Sequence, residues 1–477
     1  MAKPAERFRG LFVDGRWVER DDTIPVHNKY TGEVIARVVH ATREDVDRAV
    51  GAALRAFRKN PLPPYRRFEI LRRAADVVRA RRQDLAETIA AEAGKPLKEA
   101  LVEADRCVQT LELSAEEAKR IHGEQVPIEA APGSENRMAF TMRVPIGVVC
   151  AISPFNFPLN LVAHKVGPAL AAGNTVVLKP ATATPLSAIK LVEILREAGL
   201  PDGHLNLVIG SGSEVGEWLL DDARIAAYTF TGSAAVGERI KARSGLRRVL
   251  LELGNNSAVI VCADADLPRA AELCARRAFA NAGQICISVQ RVYVERGVFD
   301  PFLERMVEVT RSLKVGDPRD PDTDVGPMIS ELEAARAEQW VREAVEQGAR
   351  VLCGGRRRGA VLEPTILSDV KPEMKVVCQE IFAPVVSVVP FDDLDQAIDL
   401  VNDSPYGLQA GIFTGSLEAA LRAARKVEVG GLIVNDTPAY RADLMPYGGV
   451  KRSGLGREGP RYAVEHLTDL RLVVFNL

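Results

Sequence analysis

The chain has 477 residues and a net charge of −2, which excludes the strongly basic surfaces typical of proteins that bind nucleic acids or anionic membranes. Its composition, 47% hydrophobic and 26% charged, is that of a soluble globular protein with two or three domains. No signal peptide is expected at the charged amino-terminus, and Pro, Gly or charge interrupts every apolar run before the ~20 residues of a spanning helix.

The cysteines and charged runs narrow the class further. Seven cysteines without paired spacing favour a reducing compartment, and we expect a cytoplasmic protein. Six scattered histidines and the lack of a Cys-x-x-Cys motif give no reason to expect a metal site. The short run Arg356–Arg358 is expected to be a solvated loop.

The first 120 residues predict a hairpin followed by helices. Phe12–Val18 contains an Asp-Gly turn between apolar residues and predicts a β-hairpin. Thr42 and Asp45 have the spacing of a capping box at the start of a helix. Amphipathic patterns then predict helices near 65–93 and 97–120.

From residue 145 onward, short β-rich apolar runs alternate with helical patterns, which is typical of a doubly wound α/β fold with parallel sheets. A first series of predicted strands covers 148–152, 175–179, 205–209, 226–230 and 249–253. A second series covers 257–261, 291–294, 385–391, 409–413 and 432–435. We expect the strand 136–144 to pair with the tail 470–477 in a small third unit that joins another subunit.

One cysteine differs from the others in its surroundings. Cys286 lies in a loop of small residues between an alanine-rich predicted helix (267–282) and a β-like run (289–294). Backbone amides at the end of a helix can stabilise a developing negative charge on a thiol. The alternative is a buried structural cysteine, which is the commoner situation.

Two glycine-rich turns follow predicted strands, where α/β sheets bind nucleotides. The turn Gly210–Gly216 misses the dinucleotide-binding spacing, because its third glycine comes one residue late. The turn Phe230–Gly237 has phosphate-loop spacing but continues with Glu238-Arg239 instead of Lys-Ser/Thr, which excludes a typical ATPase loop. Ser233 could still donate to a pyrophosphate, and ordinary helix capping is the alternative.

Four short motifs follow one another along the chain. They are Pro154–Pro158 (Pro-Phe-Asn-Phe-Pro), Leu251–Gly254 (Leu-Glu-Leu-Gly), Gly283–Cys286 (Gly-Gln-Ile-Cys) and Glu380–Pro384 (Glu-Ile-Phe-Ala-Pro). In this order and approximate spacing they resemble the NAD(P)-dependent aldehyde dehydrogenase superfamily. The segment from Tyr440 to Gly449 is similar to the lactaldehyde- and glyceraldehyde-oxidising branch. The resemblance implies two doubly wound α/β domains and a small β oligomerisation unit. The implied division is a cofactor domain (1–122 and 146–252), a catalytic domain (253–445) and oligomerisation strands (123–145 and 460–477).

The resemblance also implies a chemistry. Cys286 would be the nucleophile that forms a thiohemiacetal and then a thioester, and Asn156 would donate to the oxyanion. Glu252 would be the general base that activates water to release the acid. The alternatives are a turn residue for Asn156 and an Arg-paired carboxylate for Glu252. Glu252 disfavours a coenzyme A-acylating enzyme, and Glu380 beside these three disfavours a non-catalytic binding or structural protein.

For the cofactor, the resemblance implies that Glu380 holds the nicotinamide ribose and Lys179 the adenosine ribose. Thr182 replaces a glutamate that many NAD-preferring relatives carry, so we expect NADP to be favoured over NAD. Core packing is the alternative for the apolar positions of this set. The other candidate cofactor-binding residues are Ile152, Pro154, Phe155, Gly212, Ser213, Gly216, Phe230, Gly232, Ser233, Val236, Leu253, Gly254 and Phe382.

The expected substrate is a small hydroxylated or acidic aldehyde. Arg441 and Arg106 would receive its carboxylate, phosphate or hydroxyl, and the alternative for Arg441 is a surface ion pair at the rim. The expected partners are this small molecule and further copies of the chain, as a homodimer or homotetramer, with no nucleic acid and no membrane. The candidate substrate-binding residues are Phe157, Leu161, His164, Arg106, Ile285, Ile287, Arg441 and Tyr447.

Overall fold

The computed structural model of the protein describes residues 6–7 and 10–477. Its helices are α1 (Arg43–Lys59), α2 (Pro64–Ala80), α3 (Arg82–Ala93), α4 (Leu97–Arg120), α5 (Asn160–Ala171), α6 (Leu186–Glu197), α7 (Glu217–Asp221), α8 (Ala234–Ser244), α9 (Leu267–Phe279), α10 (Phe299–Ser312), α11 (Glu331–Glu346), α12 (Lys375–Cys378), α13 (Leu394–Asn402), α14 (Leu417–Lys426) and α15 (Pro460–His466).

The strands are β1 (Glu6–Arg7), β2 (Leu11–Val13), β3 (Arg16–Val18), β4 (Thr23–His27), β5 (Val34–Val39), β6 (Gln125–Val126), β7 (Arg137–Pro145), β8 (Val148–Ile152), β9 (Thr175–Lys179), β10 (Leu205–Leu207), β11 (Ile225–Thr231), β12 (Arg248–Glu252), β13 (Ala258–Val261), β14 (Arg291–Glu295), β15 (Arg350–Cys353), β16 (Arg357–Arg358), β17 (Val361–Leu362), β18 (Thr365–Ser368), β19 (Val385–Phe391), β20 (Tyr406–Gly407), β21 (Gln409–Phe413), β22 (Gly431–Val434), β23 (Val450–Lys451), β24 (Gly454–Leu455) and β25 (Thr468–Asn476).

The first predicted strand series forms one eight-stranded sheet in the order β24-β12-β11-β8-β9-β10-β2-β3. Its central strands β12, β11, β8, β9 and β10 are parallel, which confirms the doubly wound α/β prediction. Strands covered on both faces tolerate continuous apolar runs, and Val148–Cys150 are accordingly inaccessible to solvent. The predicted β2–β3 hairpin closes one edge through an Asp14-Gly15 turn in which both residues have positive φ.

The second series forms a seven-stranded sheet in the order β15-β18-β19-β14-β13-β21-β22. Its strands are parallel except for the edge strand β15, as predicted from their apolar runs. The chain passes from Glu252 at the end of β12 almost directly to Ala258 at the start of β13. The carboxyl end of one sheet therefore meets the amino end of the other, and the functional site lies at this junction.

A three-stranded sheet in the order β25-β7-β6 stands apart from the other two. β25 pairs with β7 from Thr468↔Pro145 to Asn476↔Arg137, which confirms the predicted pairing of the tail with the strand near 136–144. The assignment of 460–477 to strands is wrong at its start, because Pro460–His466 is the helix α15. Ala463 and Val464 are buried there, since their spacing gives this short helix one apolar face.

Helix boundaries follow local signals in part. Thr42 caps α1 by accepting from the backbone N–H of Asp45, and the Asp45 carboxylate accepts from the N–H of Thr42 in return, so the predicted capping box is confirmed. The single helix predicted over 65–93 is interrupted at Arg81 and forms α2 and α3. Among the described residues, every helix is too short or too polar to cross a lipid bilayer.

Candidate active site

The loop that carries Cys286 is held by a left-handed turn. The predicted helix 267–282 ends earlier, at Phe279, because Asn281 and Ala282 adopt φ values of 48° and 54°. Gly283 follows at φ 68°, and a Cβ there would lie 2.0 Å from the carbonyl oxygen of Ala383. The end of the helix therefore does not directly precede the thiol, and close packing of backbone against backbone fixes the loop instead.

The thiol of Cys286 is buried next to a tyrosine. Its Sγ lies 2.9 Å from Tyr447 Oη, and either atom can be the donor. Burial raises the pKa of the Cys286 thiol to about 11, although the hydrogen bond from Tyr447 and the charge of Arg441 act in the opposite direction. The raised pKa favours the protonated thiol at neutral pH, so the thiol has to be activated before it can act as a nucleophile.

Asn156 lies beside the same loop. Its side-chain Nδ2 donates to the carbonyl oxygen of Gln284 at 2.9 Å, two residues before the thiol. Its Oδ1 is buried and has no hydrogen-bond partner among the described residues. The residue is only 3% exposed and lies in a bend between Pro154 and Pro158, so the alternative of a turn residue stays open.

Glu252 is a buried carboxyl group at the end of β12. Neither of its oxygens has a hydrogen-bond partner among the described residues, so the Arg-paired alternative does not describe it. Burial, and then repulsion from Glu458, raise the pKa of Glu252 well above its usual range. Burial also disfavours the charge of Glu458, but Lys165 at 3.0 Å and Arg441 at 3.1 Å outweigh it and lower the pKa of Glu458 to about 2. The negative charge of this carboxyl pair therefore resides on Glu458.

Cys286 faces a cavity of about 500 Å³. Apolar side chains form one wall, and Arg441 forms another with its guanidinium 3.6 Å from the centre of the Tyr447 ring. The alternative of a surface ion pair for Arg441 does not hold, because its pair with Glu458 is buried and the Arg441 side chain is only 7% exposed. The predicted substrate-binding residues that line the cavity are Phe157, Leu161, Arg106, Ile285, Ile287, Arg441 and Tyr447.

His164 is not among the lining residues and lies behind this wall. Its Nε2 is 2.8 Å from Asp443 Oδ1, and the ring is inaccessible to solvent. Arg106 lines the cavity, but its guanidinium donates twice to the same carboxylate, at 2.7 and 3.0 Å. The prediction that His164 lines the pocket is therefore wrong, because a buried carboxylate holds it inside the fold.

The predicted cofactor cleft lies at the carboxyl ends of the parallel strands of the first sheet. Ile152 and Lys179 end the parallel strands β8 and β9, and Phe230, one residue before the end of β11, pairs with Ile152. Lys179 is buried with no ion-pair partner among the described residues, and burial lowers its pKa to about 8. Such a group fits the ribose hydroxyls or the phosphate of a nucleotide. Thr182 Oγ1 donates to the carbonyl of Gly210 at 2.6 Å and ties the loop after β9 to the glycine-rich turn.

Glu380 closes the other end of this cleft. Its Oε1 accepts from the backbone N–H of Asn255 at 2.9 Å, and burial raises its pKa to about 7. A Cβ at Gly254 would lie 2.4 Å from Glu380 Oε2, so only glycine leaves room for the carboxyl group. Phe382 meets Phe155 edge to face, with ring centres 5.8 Å apart.

The remaining candidate cofactor residues surround these two. Gly212, Ser213 and Gly216 belong to one π-helical turn, and Ser233 begins α8 without a hydrogen bond from its side chain to the helix. Pro154, Gly232 and Val236 are partly or largely exposed, whereas Leu253 is buried. The orphaned lysine and the glycine-lined carboxyl group fit a dinucleotide. Nucleotide binding at this edge is the arrangement expected of a doubly wound sheet.

Sequence reasoning missed the charged residues beneath and around the site. Lys165, Glu458 and Asp443 are buried. Lys165 pairs with Glu458 and Arg106 pairs with Asp443, and each pair joins residues about 300 positions apart. Lys95 pairs with Glu103 within the cavity wall, and Arg277 lies at the mouth. No local pattern signals the pairs of Lys165, Glu458 and Asp443, because they depend on segments that only the tertiary fold brings together.

The fold and the site define a class, a thiol-containing α/β protein with a dinucleotide cleft, and comparisons with known proteins give its family. The family model of the aldehyde dehydrogenase family matches residues 17–473. A 3-sulfolactaldehyde dehydrogenase of Priestia megaterium is 55% identical over 468 residues, which cover 98% of each chain. A lactaldehyde dehydrogenase of Methanococcus maripaludis is 40% identical over 473 residues, which cover 98% of this chain and 100% of that relative.

The solved structures agree. The NADP-dependent glyceraldehyde-3-phosphate dehydrogenase of Bacillus halodurans, complexed with NADP, has a TM-score of 0.96 at 38% identity and covers 98% of this chain and 100% of its own. The chain belongs to the aldehyde dehydrogenase family. It is an oxidoreductase that uses NAD(P) to oxidise an aldehyde to a carboxylic acid.

Proposed function

We propose that the substrate is a small 2-hydroxyaldehyde with a negatively charged end group, of the 3-sulfolactaldehyde type. The observation that carries this proposal is a buried guanidinium in the wall of the thiol cavity. Nη2 of Arg441 donates to Glu458, while its Nε is buried without a hydrogen-bond partner among the described residues. An orphaned donor of this kind favours an anionic or strongly accepting substrate group.

The charges around the mouth of the cavity support the same class. Five lining cations are paired with carboxylates, Lys95, Lys98, Arg106, Arg276 and Arg441. Arg277 is exposed at the mouth and has no ion pair in the described part of the chain. An unpaired cation at the entrance attracts anionic substrates over neutral ones. The names of the sulfolactaldehyde and lactaldehyde dehydrogenases among the relatives agree with a short hydroxylated carbon chain.

The proposed chemistry assigns a role to each residue of the cavity. The Cys286 thiolate attacks the aldehyde carbon, and the side-chain amide of Asn156 donates to the oxygen that becomes negative. A bound NAD(P) would supply the hydride acceptor that converts the adduct on Cys286 to a thioester. Glu252, once it has lost its own proton, takes a proton from the water that cleaves the thioester, and its raised pKa makes the ionised form a stronger base. Lys179 and Glu380 hold the two riboses of the cofactor, and Thr182, which lacks a negative charge, lets NADP bind in preference to NAD.

The whole protein is proposed to work as a homodimer or homotetramer in the cytoplasm. All seven cysteines are free, which suits a reducing compartment. The proposed division assigns the eight-stranded sheet to a cofactor domain (1–122 and 146–252) and the seven-stranded sheet to a catalytic domain (253–445). The β25-β7-β6 sheet would join subunits, because apolar side chains such as Leu470 and Leu472 are exposed on it.

The test is a steady-state assay with 3-sulfolactaldehyde and lactaldehyde, with NAD and NADP in parallel. The Cys286→Ala enzyme should form no reduced cofactor with either aldehyde. Arg277→Gln should raise KM for the anionic aldehyde by about threefold and leave KM for the neutral one unchanged, because the charge acts through attraction at the entrance. The matched control is Arg276→Gln, since Arg276 is an exposed neighbour that is already paired with Glu272 at 3.1 Å.

Equal losses on both aldehydes for Arg277→Gln, or a higher kcat/KM of the wild type for lactaldehyde, would remove the anionic substrate class. A clearly better kcat/KM with NAD would remove the preference for NADP. Coenzyme A should leave the rate unchanged, and acceleration by it would favour the acylating alternative instead.

A further inference from the structure

A second, larger concavity lies on the other side of Leu313 from the thiol cavity. Its volume is about 970 Å³, and Leu313 lines both spaces. Five cations line it, against two carboxylates, Glu331 and Glu363. We call it the basic cavity, and its cations are Lys29, Arg311, Arg356, Arg357 and Arg358.

Most of this positive charge is not neutralised by the protein. Only Arg357 has an ion pair, with Glu338 at 3.0 Å. Arg311 donates to the carbonyl of Leu352, and no carboxylate pairs with the other cations within the described ranges. Elsewhere on the surface, arginines typically lie against acids, as Arg224 does between Asp47 and Asp222. Arg356 and Arg358 are exposed, as expected of the solvated run that the sequence predicted, but Arg357–Arg358 is a short strand and the run also lines this concavity.

The backbone around the basic cavity places these side chains. Arg357–Arg358 and Val361–Leu362 form the small hairpin β16–β17. Successive side chains of a strand alternate in direction, so Arg357 turns to Glu338 while Arg356 and Arg358 share the other side. The hairpin is reached through Gly354 and Gly355, which have φ values of 75° and 85°. A Cβ at Gly354 would lie 2.1 Å from the carbonyl oxygen of Pro364, so glycine is required there.

Lys29 contributes from the opposite wall. It is partly buried, and burial lowers its pKa, although the charge of Glu92 acts in the opposite direction. An anion in the basic cavity would add to this partial compensation. Tyr30 and Gly32 line the same wall; Tyr30 is 42% exposed, and a Cβ at Gly32 would meet nothing within 4 Å. The cavity therefore has room for a ligand beside its unpaired cations.

We propose that the basic cavity binds a small polyanion with two or more phosphate groups. Three arginines without an ion pair among the described residues, Arg311, Arg356 and Arg358, together with Lys29 match two phosphate groups better than one. A nucleic acid is disfavoured, because the charge lines a concavity on a chain whose net charge is −2. The basic cavity is separate from the cavity of Cys286. The binding of a polyanion there is therefore independent of which aldehyde the enzyme oxidises.

The test is isothermal titration calorimetry of the full-length protein with inorganic pyrophosphate, in the presence of saturating NADP to fill the cofactor cleft. Wild type should bind, and the double variant Arg356→Gln/Arg358→Gln should bind about tenfold more weakly, because two charge-assisted contacts are lost. Inorganic phosphate should bind more weakly than pyrophosphate. The matched control is Arg269→Gln/Arg425→Gln, which removes two exposed arginines that have no ion pair and lie outside the cavity.

Several results would overturn the proposal. They are no heat of binding with wild type, equal affinity for phosphate and pyrophosphate, or equal affinity of wild type and the double variant for pyrophosphate. The last result would mean that pyrophosphate binds outside the basic cavity. Lys29→Gln, on the facing wall, gives a second readout and should also weaken binding. Unchanged aldehyde oxidation by both variants shows that they are folded, since none of these residues lines the thiol cavity.

Discussion

At the scale of single residues, the state of the Cys286 thiol is set by a competition that burial wins. Burial disfavours the thiolate and raises the pKa to about 11, while the hydrogen bond with Tyr447 favours the thiolate. Because a raised pKa means less thiolate at a given pH, alkylation of Cys286 by iodoacetamide should be slow at pH 7 and should accelerate as the pH rises towards 11.

Tyr447→Phe tests this account. The variant removes the hydroxyl 2.9 Å from Sγ but keeps the ring, so the pKa of Cys286 should rise further and alkylation at pH 8 should slow by about fivefold. Mass spectrometry of the peptide that contains Cys286 gives the rate. Tyr440→Phe is the matched control, because Tyr440 is nearby in sequence but 52% exposed. Equal rates in wild type and Tyr447→Phe would show that the hydroxyl does not act on the thiol.

The sequence indicates the central residues of the site better than it indicates the buried hydrogen bonds and ion pairs around them. Cys286, Asn156 and Glu252 lie in short motifs, and the structure brings Asn156 to the Cys286 loop and buries Glu252 as predicted. The hydrogen bonds of Arg106 and His164 to the same carboxylate were not predictable from the sequence. That carboxylate, Asp443, is about 280 residues or more from each of them, and no periodicity links such distant positions.

At the scale of elements, buried strands were predicted closely, because continuous apolar runs have few other places in an α/β protein. The strands 148–152, 175–179, 385–391 and 409–413 match to the residue. Helix ends were predicted less well. The helix before Cys286 ends at Phe279 because the backbone of the following residues packs against the segment of Ala383, a tertiary constraint that an alanine-rich sequence does not show.

Gly283→Ala tests the importance of that turn. The new Cβ would lie 2.0 Å from the carbonyl oxygen and 2.3 Å from the carbonyl carbon of Ala383, and the φ of 68° is strained for alanine. The loop must move, so kcat should fall by about 100-fold, as expected when a nucleophile is displaced by about 1 Å. Gly297→Ala is the control, because a Cβ at Gly297 would meet nothing within 4 Å. Retained kcat in Gly283→Ala would show that the turn does not position the thiol.

At the scale of the whole molecule, the β25-β7-β6 sheet is the part that the single chain leaves incomplete. Leu470, Leu472 and Val474 alternate along β25 and therefore share one face, where they are 60%, 55% and 44% exposed. Met138 and Met142 of β7 are also exposed. An isolated small sheet with exposed apolar faces is marginal in water, so a second copy of the chain is the cover that we expect.

Leu472→Asp should therefore reduce the size of the assembly. Burial of one leucine stabilises an interface by about 2 kcal/mol, and a two-fold interface loses this twice and gains two buried charges. Size-exclusion chromatography with light scattering should give a multiple of the chain mass for wild type and a shift towards a single chain for the variant. Leu417→Asp is the control, because Leu417 is 73% exposed on α14, away from this sheet. A wild type that elutes as a single chain, or an unchanged mass in Leu472→Asp, would mean that the exposed face of β25 does not join subunits.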